Sequence, residues 1–206
     1  NPAGAQASRL TSVSCVSASE CTAVGYYTNS AGTTLTLAER WNGSSWSIVS
    51  TPNPAGTLEA QLTSVSCTAA ANCIAVGYNK TGSEAFSTLT MRWNGSAWSI
   101  VSSPGGTFPT NYPRNYLRGV SCSAASDCWA VGQTAPTAAK EAEGSKPVAL
   151  AMRFNGTSWS AASISSPPSN LAGVSCPTSA FCVAVVNEGL KLLRYDGSSW
   201  TPQEAP

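Results

Sequence analysis

Apolar and polar positions alternate in short bursts along the whole chain, and no stretch sustains a 3.6-residue period. From Leu10 to Tyr26 the sequence reads LTSVSC-VSASE-CTAVGY, with Val, Leu and Ala interleaved with Ser and Thr on both sides of a five-residue polar loop. Alternation with period two predicts half-buried strands, and the short loop between them predicts a hairpin. The phrase returns as LTSVSC-TAAAN-CIAVGY, LRGVSC-SAASD-CWAVGQ and LAGVSC-PTSAF-CVAVVN. After each copy comes a second one. Arg40-Trp41 leads into NGSSWS, Arg92-Trp93 into NGSAWS, Arg153-Phe154 into NGTSWS and Arg194-Tyr195 into DGSSWT. Asn-Gly and Asp-Gly suit tight turns, and the flanking aromatics suit a pleated surface, so this half predicts another hairpin. Each unit therefore predicts four short strands, with Pro and Gly at the joints. The one run of helix formers, TAAKEAEGSK, reads as a long exposed loop inserted in the third unit.

The first cysteines, Cys15, Cys67, Cys122 and Cys176, recur about every fifty residues, a spacing that marks a repeat architecture. Unit boundaries fall near 1–52, 53–104, 105–167 and 168–206. The units form one domain, because a lone four-stranded sheet cannot bury both of its faces. The opening NPAGAQ copies the joint NPAGTLEAQ, which reads as a cut at a repeat joint of a longer protein.

Units of this size and strand number resemble the blades of the β-propeller superfamily. The W-N-G-S-S-W-S hairpin is similar to the strand–turn–strand hairpin of kelch, Asp-box and lectin propellers. It has one residue fewer than the Asp-box pattern between the acid or amide and the tryptophan. It also lacks the Gly-Gly pair of kelch and the Gly-His…Trp-Asp signature of WD40. Units with a Cys-x5-Cys hairpin resemble secreted repeats of soil bacteria. The resemblance implies an all-β propeller of four four-stranded blades. Two closures fit: a monomeric four-blade ring, which size favours, and an open crescent that pairs with a second copy into an eight-blade ring. In either, Trp46, Trp98 and Trp159 are expected between blades, with Trp200 more loosely held near the chain end.

Eight cysteines allow many pairings, but each unit carries its own pair at constant spacing. This selects Cys15–Cys21, Cys67–Cys73, Cys122–Cys128 and Cys176–Cys182. The zinc alternative is poor, because zinc pairs use closer spacings and the chain has no histidine. No cofactor or metal is expected. Disulfides persist outside the cytoplasm, so the expected location is secreted or cell-surface. No signal peptide is visible, which reads as a mature protein or excised domain.

Charged residues make up 10% of the chain against roughly 25% in an average domain, and the net charge is +1. No basic stripe exists for nucleic acid or an anionic membrane, and no apolar run is long enough for membrane insertion. Arg114 and Arg118, in NYPRNYLR, read as a surface connection. The absence of histidine excludes the usual charge-relay catalysis. The acids (Glu20, Glu39, Glu59, Glu84, Asp127, Glu141, Glu143, Glu188, Asp196 and Glu204) fall in no recognisable mechanistic motif. The expected function is thus a non-catalytic module, not an enzyme, binding glycans or a cell-surface protein through rim loops. A structural, self-assembling module that pairs blade faces is the first alternative, and a propeller-type polysaccharide hydrolase is the second. The candidate ligand-binding residues are the four Arg–aromatic pairs, Arg40 and Trp41, Arg92 and Trp93, Arg153 and Phe154, and Arg194 and Tyr195. Their other reading is structural, since a group present in every unit serves the fold. Ser14, Ser66, Ser121 and Ser175 would line a central channel, or be small because the axis is crowded.

Overall fold

The computed structural model describes residues 1–82, 85–104, 113–164, 168–187 and 191–204. Glu84, Glu188 and the first two residues of NYPRNYLR lie outside that set. The first unit contains β1 (Ala7–Ser17), β2 (Glu20–Thr28), β3 (Thr34–Trp41) and β4 (Trp46–Val49). The second contains β5 (Glu59–Ala69), β6 (Asn72–Lys80), β7 (Phe86–Trp93) and β8 (Trp98–Ile100). The third contains β9 (Arg114–Ala124), β10 (Asp127–Ala135), α1 (Ala138–Ala142), β11 (Val148–Phe154) and β12 (Trp159–Ala162). The fourth contains β13 (Leu171–Thr178), β14 (Phe181–Val186), β15 (Lys191–Tyr195) and β16 (Trp200–Glu204). The chain is all-β apart from α1, a single turn in the segment expected to be a loop. Thr137 caps it by accepting a hydrogen bond from the Lys140 amide.

Every unit is an antiparallel four-strand meander. Units one to three form one continuous sheet only through two single parallel pairs, Thr34 with Glu59 and Phe86 with Arg114. The working contact between units is instead face to face. One apolar cluster joins Val24 and Ala38 of unit one to Leu62, Val65 and Trp98 of unit two. A second joins Ile74 and Val76 to Leu117, Val120 and Trp159, and a third joins Trp129 and Val131 to Leu171, Leu193 and Trp200. Each unit thus presents a leading face to the unit before it and a trailing face to the unit after. The first strands stand side by side, β1 on β5, β5 on β9 and β9 on β13, and so mark the inner edge.

Close approach at that edge requires glycine. A Cβ on Gly25, Gly77 or Gly132 would lie 1.9 Å from the carbonyl oxygen of Arg9, Gln61 or Tyr116, where a bulge shifts the first strand's register. Unit four has Val186 at this position and tolerates it, because β13 starts only at Leu171, opposite that valine. At the other end of each unit the two cysteines face each other across the hairpin. The bridges Cys15–Cys21, Cys67–Cys73, Cys122–Cys128 and Cys176–Cys182 form with Cα atoms 3.9 to 4.1 Å apart, and no cysteine is free. Four local disulfides fit an oxidising, extracytoplasmic environment.

Among the described residues the closed ring favoured from size is not seen: β1 packs against β5 with no comparable packing against β13, so these residues make an open arc. The tryptophan expectation changes with it. Trp200 is 1% exposed because unit three covers it, whereas Trp46 is 45% exposed, with none of the described units packed over it.

Candidate functional site

The two ends of the strands differ in kind. At the disulfide end, the turn is the same four times. The Asn42 side-chain oxygen accepts from the amides of Ser44 and Ser45, and Asn94, Asn155 and Asp196 repeat this in their own turns. Gly43, Gly95, Gly156 and Gly197 take the positive φ that completes each turn. Asp196 is ionised here, and its carboxyl is pulled down to about 2, first by the Ser199 amide and then by the Ser198 hydroxyl and amide.

The Arg–aromatic pairs near this end are engaged between units. Arg40 sits 4.8 Å from the Trp93 ring centre of the next unit, donates to the Ala70 carbonyl at 2.9 Å and pairs with Glu20 at 3.7 Å. Trp41, half-buried, donates its indole N–H to Ala18 within its own unit. Arg92 donates to the Gly156 carbonyl in unit three at 3.3 Å. Arg153 has the fullest set: Asp127 at 2.7 Å, the Tyr195 hydroxyl at 3.1 Å and the Ser179 carbonyl at 3.4 Å. The hydrogen bond to Asp127 raises the Arg153 pKa further. Arg194 lies over Phe181 of its own unit. Trp93, Phe154 and Tyr195 are buried. The recurring serines also hold units together. Ser14 accepts from the Cys67 amide, Ser66 from Cys122 and Ser121 from Cys176, all at 2.9 to 3.0 Å.

At the opposite end the repeat breaks down, and side chains of different chemistry gather between units two and three. Tyr78, at the end of β6, and Phe86 and Tyr116, at the starts of β7 and β9, form a triangle of rings with centres 5.0 to 5.8 Å apart. Glu59, the first residue of β5, accepts from the Tyr78 hydroxyl at 3.2 Å and from the Gln61 amide at 2.9 Å. Burial raises the Tyr78 phenol well above its ordinary pKa, and the adjacent Glu59 carboxylate adds to this. Burial raises Tyr116 as well, against the pull of Arg114; Glu59 and Glu141 both push it upward. Arg118 lies 5.9 Å from the Tyr116 ring centre, Lys80 lies 5.3 Å from Phe86, and Arg114 pairs with Glu141 of α1 at 3.5 Å. Two carboxylates, an aromatic floor and three cations thus share one rim.

Of this cluster, Arg114 and Arg118 belong to the segment expected as a surface connection, and Glu59 and Glu141 are among the acids that fall in no motif. No sequence motif groups Tyr78, Phe86 and Tyr116. The available signal was divergence. Three positions before the first-strand leucine the units carry Ala7, Glu59, Arg114 and Pro168, and one position before it Arg9, Gln61, Tyr116 and Asn170.

No family model matches the chain, and no curated protein matches it. Solved structures do. YCF48 from Cyanidioschyzon merolae is 16% identical, with a TM-score of 0.51, over 100% of this chain and 58% of its own. An alpha-L-arabinanase from Penicillium chrysogenum, complexed with arabinobiose, is 12% identical, with a TM-score of 0.56, over 90% of this chain and 60% of its own. An alpha-L-arabinofuranosidase from Fusarium graminearum, in complex with an iminosugar inhibitor, is 16% identical, with a TM-score of 0.54, over 91% and 60%. The chain therefore spans about three fifths of the length of each. All three are of propeller type, and at these identities the likeness establishes the fold alone. Two of the three are glycoside hydrolases, which corrects the expectation of a non-catalytic glycan-binding module that is not an enzyme. The physical reason lies in the chemistry. Lack of histidine removes charge-relay hydrolysis, but cleavage of a glycosidic bond needs only a pair of carboxyl groups.

Proposed function

We propose that the chain supplies four blades of a secreted, propeller-type hydrolase acting on polysaccharide, with substrate at the rim between units two and three. The observation that carries this reading is that Glu59, bonded to Tyr78, and Glu141, paired with Arg114, both lie at the rim of the aromatic triangle, at the end of the units where the repeat is abandoned. A group required by the fold recurs in every unit, and a group required by chemistry needs to occur once. The aromatic triangle offers faces for the C–H surfaces of a sugar ring. Arg118 offers a fork of donors to hydroxyls. Glycoside cleavage uses one carboxyl to protonate the leaving oxygen and a second to attack or to activate water. Glu59, which accepts hydrogen bonds from the Tyr78 hydroxyl and the Gln61 side chain, is suited to the second role. Glu141, on the inserted helix and paired with Arg114, supplies the other carboxyl group. The neighbouring enzymes support polysaccharide as the substrate class.

The test is release of reducing sugar from arabinan and a panel of other polysaccharides by the purified protein, together with Glu59→Gln and Glu141→Gln variants. The reading predicts activity on at least one polymer, lost by at least ~100-fold in each variant, with melting temperature unchanged. An inactive parent, or a Glu59→Gln variant as active as the parent, would overturn it.

A further inference from the structure

The arc ends in two uncovered faces, and they are the two halves of an interface that the chain already builds three times. On the leading face of unit one, Leu10, Val13 and Trp46 are exposed and border an open hollow of about 430 Å³. The equivalents that meet a preceding unit are buried: Leu62, Leu117 and Leu171; Val65 and Val120; Trp98, Trp159 and Trp200. On the trailing face of unit four, Val185 is 47% exposed, whereas Val24, Val76 and Val131 at the same position are each 0% exposed beneath a following unit.

The polar fittings match as well as the apolar ones. Ser14, Ser66 and Ser121 each accept from the first-cysteine amide of the next unit, while Ser175 is exposed and accepts from none. Among the described residues, the Cys15 amide, on the leading face, is the one first-cysteine amide that donates to no serine of another unit. Arg40, Arg92 and Arg153 all reach into the next unit, and Arg194 is exposed. Trp41 stands where Trp93 receives Arg40. Unit four's trailing edge repeats the one that unit three already uses. Gly173 occupies the position of Gly119, whose Cα approach to β13 leaves no room for a side chain.

We propose that the occupant of both faces is a second copy of this chain, joined head to tail. The trailing face of unit four in one copy covers the leading face of unit one in the other. Val185 packs on Leu10, Val13 and Trp46, Ser175 accepts from the Cys15 amide, and Arg194 stacks on Trp41. A junction of this kind is heterologous, and a ring forms when the rotation closes. Two copies supply eight units, within the range of roughly four to eight known for such rings.

The experiment uses one variant for each face, Val13→Glu and Val185→Glu. Both sites are solvent-exposed in the single chain, so circular dichroism and melting of the monomers should match the parent. Light scattering coupled to size exclusion is expected to give the parent a mass near twice 21.1 kDa. Each variant alone is expected to be a monomer, since each lacks one half of the junction. An equimolar mixture of the two is expected to recover a one-to-one complex, because the intact trailing face of Val13→Glu meets the intact leading face of Val185→Glu. A monomeric parent at high concentration would overturn the proposal and leave these faces to further units or to another protein. A Val185→Glu variant that still pairs by itself would show like-to-like pairing of leading faces and would also overturn it. So would a mixture that stays monomeric.

Discussion

Units one and four carry nearly the same second hairpin, NGSSWS and DGSSWT, yet their tryptophans have opposite fates. Trp200 is enclosed by Trp129, whose ring stands 5.1 Å away edge-on, and by Tyr195 at 5.4 Å. Trp46 has Trp41 as its aromatic neighbour, at 5.8 Å, and is 45% exposed. The residue, the turn and the register against its partner strand are shared, with Trp41 opposite Trp46 and Tyr195 opposite Trp200. What differs is whether another unit stands in front. A repeat sequence specifies what each face is made for, and position in the array decides whether that face is used.

Truncating the two tryptophans tests this comparison most strongly. In the Val185→Glu background, where copies cannot join, Trp200→Ala should lower stability by about 3–5 kcal/mol, as large buried aromatics do. Trp46→Ala in the same background should cost about 1 kcal/mol or less, the range of exposed positions. Chemical denaturation of both variants measures the difference, and equal losses would mean that unit one is covered by something within the chain.

A smaller effect is expected at the serines. Removing the Ser66 hydroxyl leaves the Cys122 amide without its acceptor, and Ser66→Ala should cost about 1–2 kcal/mol. Ser175→Ala in the Val185→Glu background should be close to neutral. A comparable loss at both positions would show that the serine acts within its own unit rather than across the junction.

The smallest expected effect concerns pH. The folded Asp196 carboxyl is held at about 2, below its ordinary 3.8, so its ionised form favours the folded state. That contribution is complete above about pH 4 and is lost as pH falls towards 2. Asp196→Asn copies the residue used in the other three turns. It should leave stability at neutral pH almost unchanged and flatten the profile between pH 4 and 2. Thermal melts across that window would show the flattening, and an unaltered acid profile would count against the turn as the origin of the shift.

Much of the fold was legible because it is written four times. The period-two alternation, the paired cysteines and the Asn-Gly turns each gave the same hairpins in every unit, and constant spacing chose the disulfides. Ring closure was not legible. Leu10 and Leu62 sit in the same phrase, and nothing in LTSVSC says that one is covered and the other bare. The inserted helix lies in the one run of helix formers, but a five-residue turn has too little periodicity to distinguish it from a loop. The candidate site was hard to read for the opposite reason. Repetition draws attention to Arg40, Arg92, Arg153 and Arg194, three of which are spent holding neighbouring units. The rim cluster depends on Glu59, Tyr78, Phe86 and Tyr116, brought together from four different strands, and of these only Tyr78 has a counterpart, Tyr26, in another unit.

The most direct test of the account is amide hydrogen exchange at the first cysteine of each unit, read by NMR in the monomeric Val185→Glu variant. Slow exchange is predicted at Cys67, Cys122 and Cys176, whose amides donate to the serine of the preceding unit. Fast exchange is predicted at Cys15, whose amide meets no serine of another unit among the described residues. Equal protection at all four amides would contradict the open arc and the interface on which the account rests.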